Sequence, residues 1–169
     1  MATAKHFIGD GGTFKGIDKG DTRISEGGLK NIHGTPYYSA FEACVQSVMA
    51  SFNSWNGVKM HGHEYLLTDV LRGQMGFNGL VVGDWNGHGE VPGCTNANCP
   101  ESFNAGVDIY MAPDEWKELY TNTVRAVKAG DISEDRLDDA VRKILTVKDR
   151  LGMLDGRKPH EYENYVCLL

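Results

Sequence analysis

Asp84 is the first residue whose type and setting suggest chemistry. It follows Leu80-Val81-Val82-Gly83 and precedes Trp85 in the run GLVVGDWNG, from Gly79 to Gly87. Apolar residues between glycines, with no charge among them, read as a short strand buried on both faces. A carboxylate at the C-terminal end of such a strand, with an indole and the glycines Gly87 and Gly89 behind it, stands where α/β barrels place catalytic groups. Position alone fits a turn or N-cap aspartate equally well. Lys5 and His6, in AKHFI, stand at another strand end and run into the glycine-rich turn Gly9-Asp10-Gly11-Gly12-Thr13.

Other constellations fit less well. The turn after His6 lacks the GK[ST] ending and following helix of a phosphate loop. Asp10, Asp18 and Asp21 miss the spacing of a calcium loop and read as a solvated loop. His61, His63 and Glu64 invite a metal reading, but HGHEY is not the H-E-x-x-H helix of a metalloprotease, so they read as loop and helix-start residues. Cys94 and Cys99 bracket TNAN and favour a local disulfide over zinc. Zinc would need a second ligand pair, which Cys44 and Cys167 do not supply. No metal or cofactor is expected.

Composition narrows the partners. With 169 residues, 41% hydrophobic and 24% charged, the chain is long enough for one globular domain. A formal charge of −6 with dispersed acids gives neither a basic stripe for nucleic acid nor a polybasic membrane anchor. No apolar run approaches the roughly 18 residues of a spanning helix, and MATAKHF carries no targeting signal.

The elements that must position these residues alternate. Strands are predicted near residues 4 to 8, 45 to 52, 79 to 83 and 107 to 112. A helix is predicted from Ser25, with a second covering Tyr38 to Cys44 after Pro36. Leu67, Val70, Leu71 and Met75 mark another helix, which Gly76 can cap, and Pro100 to Ala105 suits a short one. A long helix is predicted from Pro113, with Trp116, Leu119, Tyr120, Val124 and Val127 on one face and Gly130 as its stop. Ser133 reads as the N-cap of the last helix, with an Ile132 to Leu137 staple and a core face of Leu137, Val141, Ile144, Leu145 and Leu151. Repeated strand, loop and helix imply an α/β fold with a parallel sheet. With no G-x-G-x-x-G after the first strand, and candidate groups after several strands, a barrel face is favoured over a dinucleotide crevice.

The segments AKHFIGDGGT, VMASFNSWNGVKMHG, LLTDVLRGQMGFNGLVVGDWNGHG and NAGVDIYMAP resemble the glycoside hydrolase family 3 exo-β-glucosidases and β-glucan exohydrolases, over roughly residues 4 to 155. The resemblance implies a partial TIM-type (β/α)8 barrel, strands five to eight with their helices, over residues 1–158, followed by an atypical tail at 159–169. It gives Asp84 the catalytic nucleophile's place, in GDW where relatives often have SDW. Lys5 and His6 match a pair that hydrogen-bonds the sugar in the first subsite, and Trp85 matches an aromatic lining the sugar slot. Phe52 stands where plant exohydrolases have S-Y-S, keeping an aromatic wall without the phenol hydroxyl.

The second carboxylate is missing from this pattern. Family hexosaminidases carry an Asp-His dyad in the loop after the KHF strand, whereas residues 9–25 hold Asp18 and Asp21 and no histidine. In the two-domain glucosidases a Glu from the following domain supplies the proton. No acid/base is assigned, and Glu64, Glu90 and Glu101 have no motif to recommend them. The expected substrate is a β-glucoside or β-glucan oligosaccharide, and a missing barrel half and second domain are expected in the parent protein, with a periplasmic or secreted location. The isolated chain is expected to be inactive. Alternatives are a β-xylosidase of the same family and a noncatalytic sugar-binding half barrel.

Overall fold

The computed structural model describes residues 1–156, so the tail expected at 159–169 lies outside the described residues. Strand β1 (Thr3–Phe7) ends at Gly9, whose φ of 95° turns the chain off the strand and favours glycine. A two-residue strand β2 (Asp21–Thr22) follows the turn. The Ser25 hydroxyl accepts from the Gly28 N–H and starts a helical run, α1, made of Glu26–Gly28, the π-wound Leu29–Gly34 and Thr35–Glu42. This corrects the expectation of two helices separated at Pro36. The wide π turn lies immediately before the proline, where a tighter α turn would collide with the ring and lack its N–H, so the helix continues.

Strand β3 (Ser47–Ala50) leads to a hairpin of β4 (Ser54–Trp55) and β5 (Val58–Lys59). Its turn, Asn56-Gly57, has φ values of 47° and 90°, which Asn and Gly tolerate best. Helix α2 (Tyr65–Gln74) is followed by Gly76 at φ 69° and by β6 (Leu80–Trp85). Helix α3 (Pro100–Ala105), β7 (Ile109–Met111), α4 (Trp116–Ala129) and α5 (Glu134–Arg150) complete the order. Helix α4 starts at Trp116 and not at Pro113, because Glu115 still has non-helical φ and ψ of −102° and 24°.

The main sheet has four strands in the order β1-β3-β6-β7, and every neighbouring pair is parallel. A smaller sheet joins β2, β4 and β5, and ties the loop after β1 to the loop after β3. Phe7, Val48, Ala50 and Val81 from the main strands pack against Leu29 of α1 and Leu67 and Leu71 of α2. Phe103, Ala126, Ile132 and Ala140 form a second cluster. The predicted apolar faces of α4 and α5 are only partly covered. Leu119, Ala126, Ala140 and Val147 are buried, whereas Trp116, Tyr120, Val141 and Leu145 are exposed. The second cluster thus uses alanines on both helices, which let backbones approach closely, in place of the larger side chains that dominate the sequence pattern.

One buried carboxylate joins the elements. Asp108, whose side chain is fully inaccessible, accepts from Arg72 Nη2 of α2 at 2.6 Å and from Arg136 Nη2 of α5 at 3.0 Å. It also accepts from the Val81 N–H of β6 at 2.8 Å. The two guanidiniums in turn donate to the carbonyls of Gly79, Gly106, Phe103 and Val107. Asp108→Asn removes the charge that Arg72 and Arg136 share and leaves Arg136 only Asp139, at 3.5 Å. It is expected to destabilise the chain by about 3 to 5 kcal/mol, read as a lower urea midpoint; an unchanged midpoint would show that the ion pairs are dispensable.

Candidate active site

The parallel order brings the C-terminal ends of β1, β3, β6 and β7 to one edge of the sheet, and the candidate residues stand there. Asp84 lies near the end of β6 with its side chain 15% exposed. Its Oδ1 accepts from the Trp85 N–H at 2.7 Å, and its Oδ2 lies 3.5 Å from His6 Nε2. The other ring nitrogen of His6 is 3.2 Å from Asp10 Oδ2. Asp10, His6 and Asp84 therefore form a line of polar groups across the strand ends. Lys5, His6, Asp10 and His33 line an open cavity of about 460 Å³ beside β1. Trp85 is 59% exposed, leaving its indole available for stacking.

The backbone of Asp84 is held separately. Its N–H donates to Nε2 of His61 at 2.8 Å, and His61 is almost fully buried. Burial lowers the His61 pKa to about 4, although the Asp84 carboxylate and the Ser51 backbone oppose the shift, so the ring is neutral at neutral pH.

The loops around this edge are cross-linked by charge. Glu90 accepts from Lys19 Nζ at 2.5 Å and from Lys59 Nζ at 2.9 Å, joining the loop after β1, the hairpin strand β5 and the loop after β6. Burial tends to raise the Glu90 pKa, but the hydrogen bonds and charges of the two lysines outweigh it and hold the carboxyl below its ordinary range. Glu90 is thus an ionised tie and not a proton donor. Lys19 also lies over the Phe52 ring, 4.2 Å from its centroid, and the His61 ring is 6.0 Å away. Phe52 is consequently engaged on one face by a cation.

The predicted residues meet unevenly. Asp84 and His6 come together directly, Lys5 shares the open cavity with His6, and Trp85 and Phe52 stand at the same strand ends. The suggested trio of His61, His63 and Glu64 does not converge: His61 meets Asp84, His63 packs on Trp55, and Glu64 is exposed. Cys94 and Cys99 form a disulfide, so their sulfurs are bonded to each other and offer no thiolate to a metal. The sequence reading missed Asp10 and His61. Asp10 follows His6 by four residues across a glycine turn, a usable signal, whereas His61 is identified only by the way its loop folds back.

A parallel α/β sheet with polar and aromatic groups gathered at its strand ends defines an enzyme-type α/β fold with its candidate site on the C-terminal edge. The model of the glycosyl hydrolase family 3 N-terminal domain matches residues 1–147, and the chain belongs to that family. It is 53% identical to an exo-1,3/1,4-β-glucanase, ExoP, from a Pseudoalteromonas species, with a TM-score of 0.92 over 95% of this chain and 20% of that one. It is 34% identical to a β-xylosidase of Formosa agariphila, over 93% of this chain and 23% of the relative. A Listeria innocua β-glucosidase in complex with glucose matches at 28% identity and a TM-score of 0.82, over 91% of this chain and 22% of that one. A mutant of the Listeria enzyme has also been solved with laminaribiose. The chain therefore spans about a fifth to a quarter of the length of these relatives.

The Glu90 tie has a pH signature. Because its folded pKa lies below the unfolded value, about 4.3, its stabilisation is present above that value and is lost as pH falls through the folded pKa. Glu90→Gln should lower the thermal midpoint more at pH 7 than at pH 3. A difference independent of pH would contradict the ionised tie.

Proposed function

We propose that this chain is the nucleophile-bearing part of the barrel of a retaining, exo-acting β-glucosidase or β-glucan exohydrolase. In this reading residues 1–158 form strands five to eight of a (β/α)8-type barrel. The observation that carries it is the setting of Asp84, a strand-end carboxylate with one oxygen held by a backbone N–H and the other facing His6. The likeness to ExoP, at 53% identity, supports a terminal non-reducing β-D-glucosyl residue as the group transferred, from β-glucans, cello-oligosaccharides or simple β-glucosides.

Asp84 attacks the anomeric carbon from the face opposite the leaving group. The bond to the leaving oxygen breaks, that oxygen takes a proton from an acid, and a covalent glycosyl-aspartate remains. Water, deprotonated by the same acid/base, then attacks the anomeric carbon and releases both sugar and Asp84. Lys5, His6 and Trp85 hold the sugar, the first two through its hydroxyls and the indole through its apolar face. Hydrogen bonds of this kind that strengthen in the transition state supply several kcal/mol in glycosidases.

The proton donor lies outside this set. Glu90 is held ionised by two lysines and cannot serve. A Glu from a second domain of the parent protein fits the role. The Cys94–Cys99 disulfide agrees with a periplasmic or secreted setting.

The test uses a probe that needs no acid. A 2-deoxy-2-fluoro-β-glucoside with a dinitrophenolate leaving group should label the 169-residue chain, and peptide mass spectrometry should place the adduct on Asp84. Ordinary aryl β-glucosides should turn over far more slowly than with a full-length relative. No adduct, or one elsewhere, would reject the nucleophile reading; glucose binding without an adduct would favour a sugar-binding half barrel. The Formosa relative keeps a β-xylosidase reading in play, and faster labelling by the corresponding fluoroxyloside would select it.

A further inference from the structure

The hydrogen-bond ladder between β3 and β6 stops before the residue that matters most. Its paired positions are Ser47 with Leu80, Val48 with Val81 and Met49 with Val82. Beyond them the strands no longer pair. The Leu80 N–H donates to the Gln46 carbonyl at 3.1 Å, and the two-residue alternation puts the Asp84 N–H on the same, β3-facing side, where the ladder has ended. His61 fills the break. It comes from the short helical turn Met60–Gly62, after the hairpin, and places Nε2 2.8 Å from the Asp84 nitrogen. The Ser51 backbone also acts electrostatically on the ring, and the Ser51 N–H donates to the Phe7 carbonyl of β1 at 2.7 Å. On the far side of Asp84, the Asn86 N–H donates to the Met111 carbonyl of β7 at 2.8 Å. Hydrogen bonds thus hold the end of β6 on both sides, through His61 at Asp84 and through the β7 carbonyl at Asn86.

We propose that His61 is a positioning residue for Asp84: as a neutral imidazole carrying its proton on Nδ1, it replaces the missing strand partner and fixes the nucleophile's backbone. The assignment of protons follows from the partner. The Asp84 N–H requires an acceptor at Nε2, and in a neutral imidazole an unprotonated Nε2 leaves the proton on Nδ1. Protonation would turn Nε2 into a donor facing another donor.

Two glycines in the GDWNG run support this placement. A Cβ on Gly87 would stand 2.3 Å from the His61 ring, and one on Gly83 would touch it at 3.5 Å. Gly87 does not need glycine for a positive φ, since the positive φ in that turn belongs to Asn86, at 53°. Its missing side chain makes room for the imidazole.

The neutral state is stable across ordinary pH. Burial lowers the pKa to about 4, nearby His88 adds to the shift, and the carboxylates of Asp84 and Glu90 with the Ser51 backbone oppose it. Glu90 is itself paired with Lys19 and Lys59, and the Phe52 ring covers another side.

The consequence for turnover rests on the reading of Asp84 as nucleophile, so the test has two arms. In the first, ¹⁵N NMR of the 169-residue chain should show the Nδ1–H tautomer at neutral pH and a scalar coupling across Asp84 N–H···Nε2. That coupling should vanish with a midpoint at about pH 4, as the ring protonates. The opposite tautomer, or no coupling, would overturn the proposal whatever Asp84 does. In the second, the activated fluoroglucoside is used to compare His61→Gln, which keeps an acceptor near Nε2, with His61→Asn, which keeps only the group near Nδ1. His61→Asn should lower the maximal labelling rate constant by about tenfold to a hundredfold, the effect expected for a buried N–H left without its acceptor, with little change in the probe's dissociation constant. His61→Gln should restore most of that rate. Equal rates in both variants and the unmodified chain would reject positioning by His61. Absence of labelling in the unmodified chain would instead reject the nucleophile reading, leaving the NMR arm to decide the hydrogen bond.

Discussion

Everything at the candidate site depends on how β6 is held, and β6 is held by a buried carboxylate. Asp108 binds Arg72, Arg136 and the Val81 N–H, joining α2, α5, β6 and the approach to β7. Such a network is not a cheap source of stability, because each ion must leave water and the Coulomb attraction only roughly compensates. Its use here is geometric. Each guanidinium is planar and donates to Asp108 and to two backbone carbonyls at once, which sets the helices against the strands where apolar contacts alone would tolerate sliding. The guanidiniums also donate to carbonyls of the segments that enter β6 and β7, at Gly79, Phe103, Gly106 and Val107.

From that fixed base the strands run to the edge where the polar residues gather. There the sheet ladder gives out, and side chains take over the work of the backbone. His61 accepts from Asp84, Thr22 donates to the Gly9 carbonyl, and Asn53 donates to the carbonyl of Ile8 and the hydroxyl of Thr22. The small sheet of β2, β4 and β5 and the Lys19–Glu90–Lys59 tie bind the loops to one another. A site built in this way is arranged before any ligand arrives, which is what electrostatic stabilisation of a transition state requires.

Local signals were legible where a residue's own backbone carries the constraint. The Ser25 and Ser133 caps, the Gly76 and Gly130 helix stops, the Pro100 helix start and the Cys94–Cys99 pairing all follow from short-range chemistry. The signals that misled were those needing a neighbour. Trp116 and Tyr120 share a helical face with Leu119, but burial chose Leu119 and Ala126, because the second cluster closes around small side chains on α4 and α5. Pro36 reads as a break in any sequence, and only the preceding π turn makes it compatible with a continuous helix. The Asn56-Gly57 turn was a strong hairpin signal, yet its strands of two residues each are too short to show an alternating pattern.

The sequence by itself determined the order of the four main-sheet strands, their parallel class and the family resemblance that singles out Asp84, Lys5, His6, Phe52 and Trp85. Those follow from periodicity, glycine and proline placement, and contiguous motifs. Tertiary structure alone decided that His61 belongs with Asp84 while His63 belongs with Trp55, and that Glu90 is an ionised tie. The physical reason is distance along the chain. Asp84 and His61 are separated by 23 residues, and Glu90 and Lys19 by 71. Their interaction exists only after the parallel sheet has brought its loops to one edge, and burial there sets the protonation states that composition leaves open.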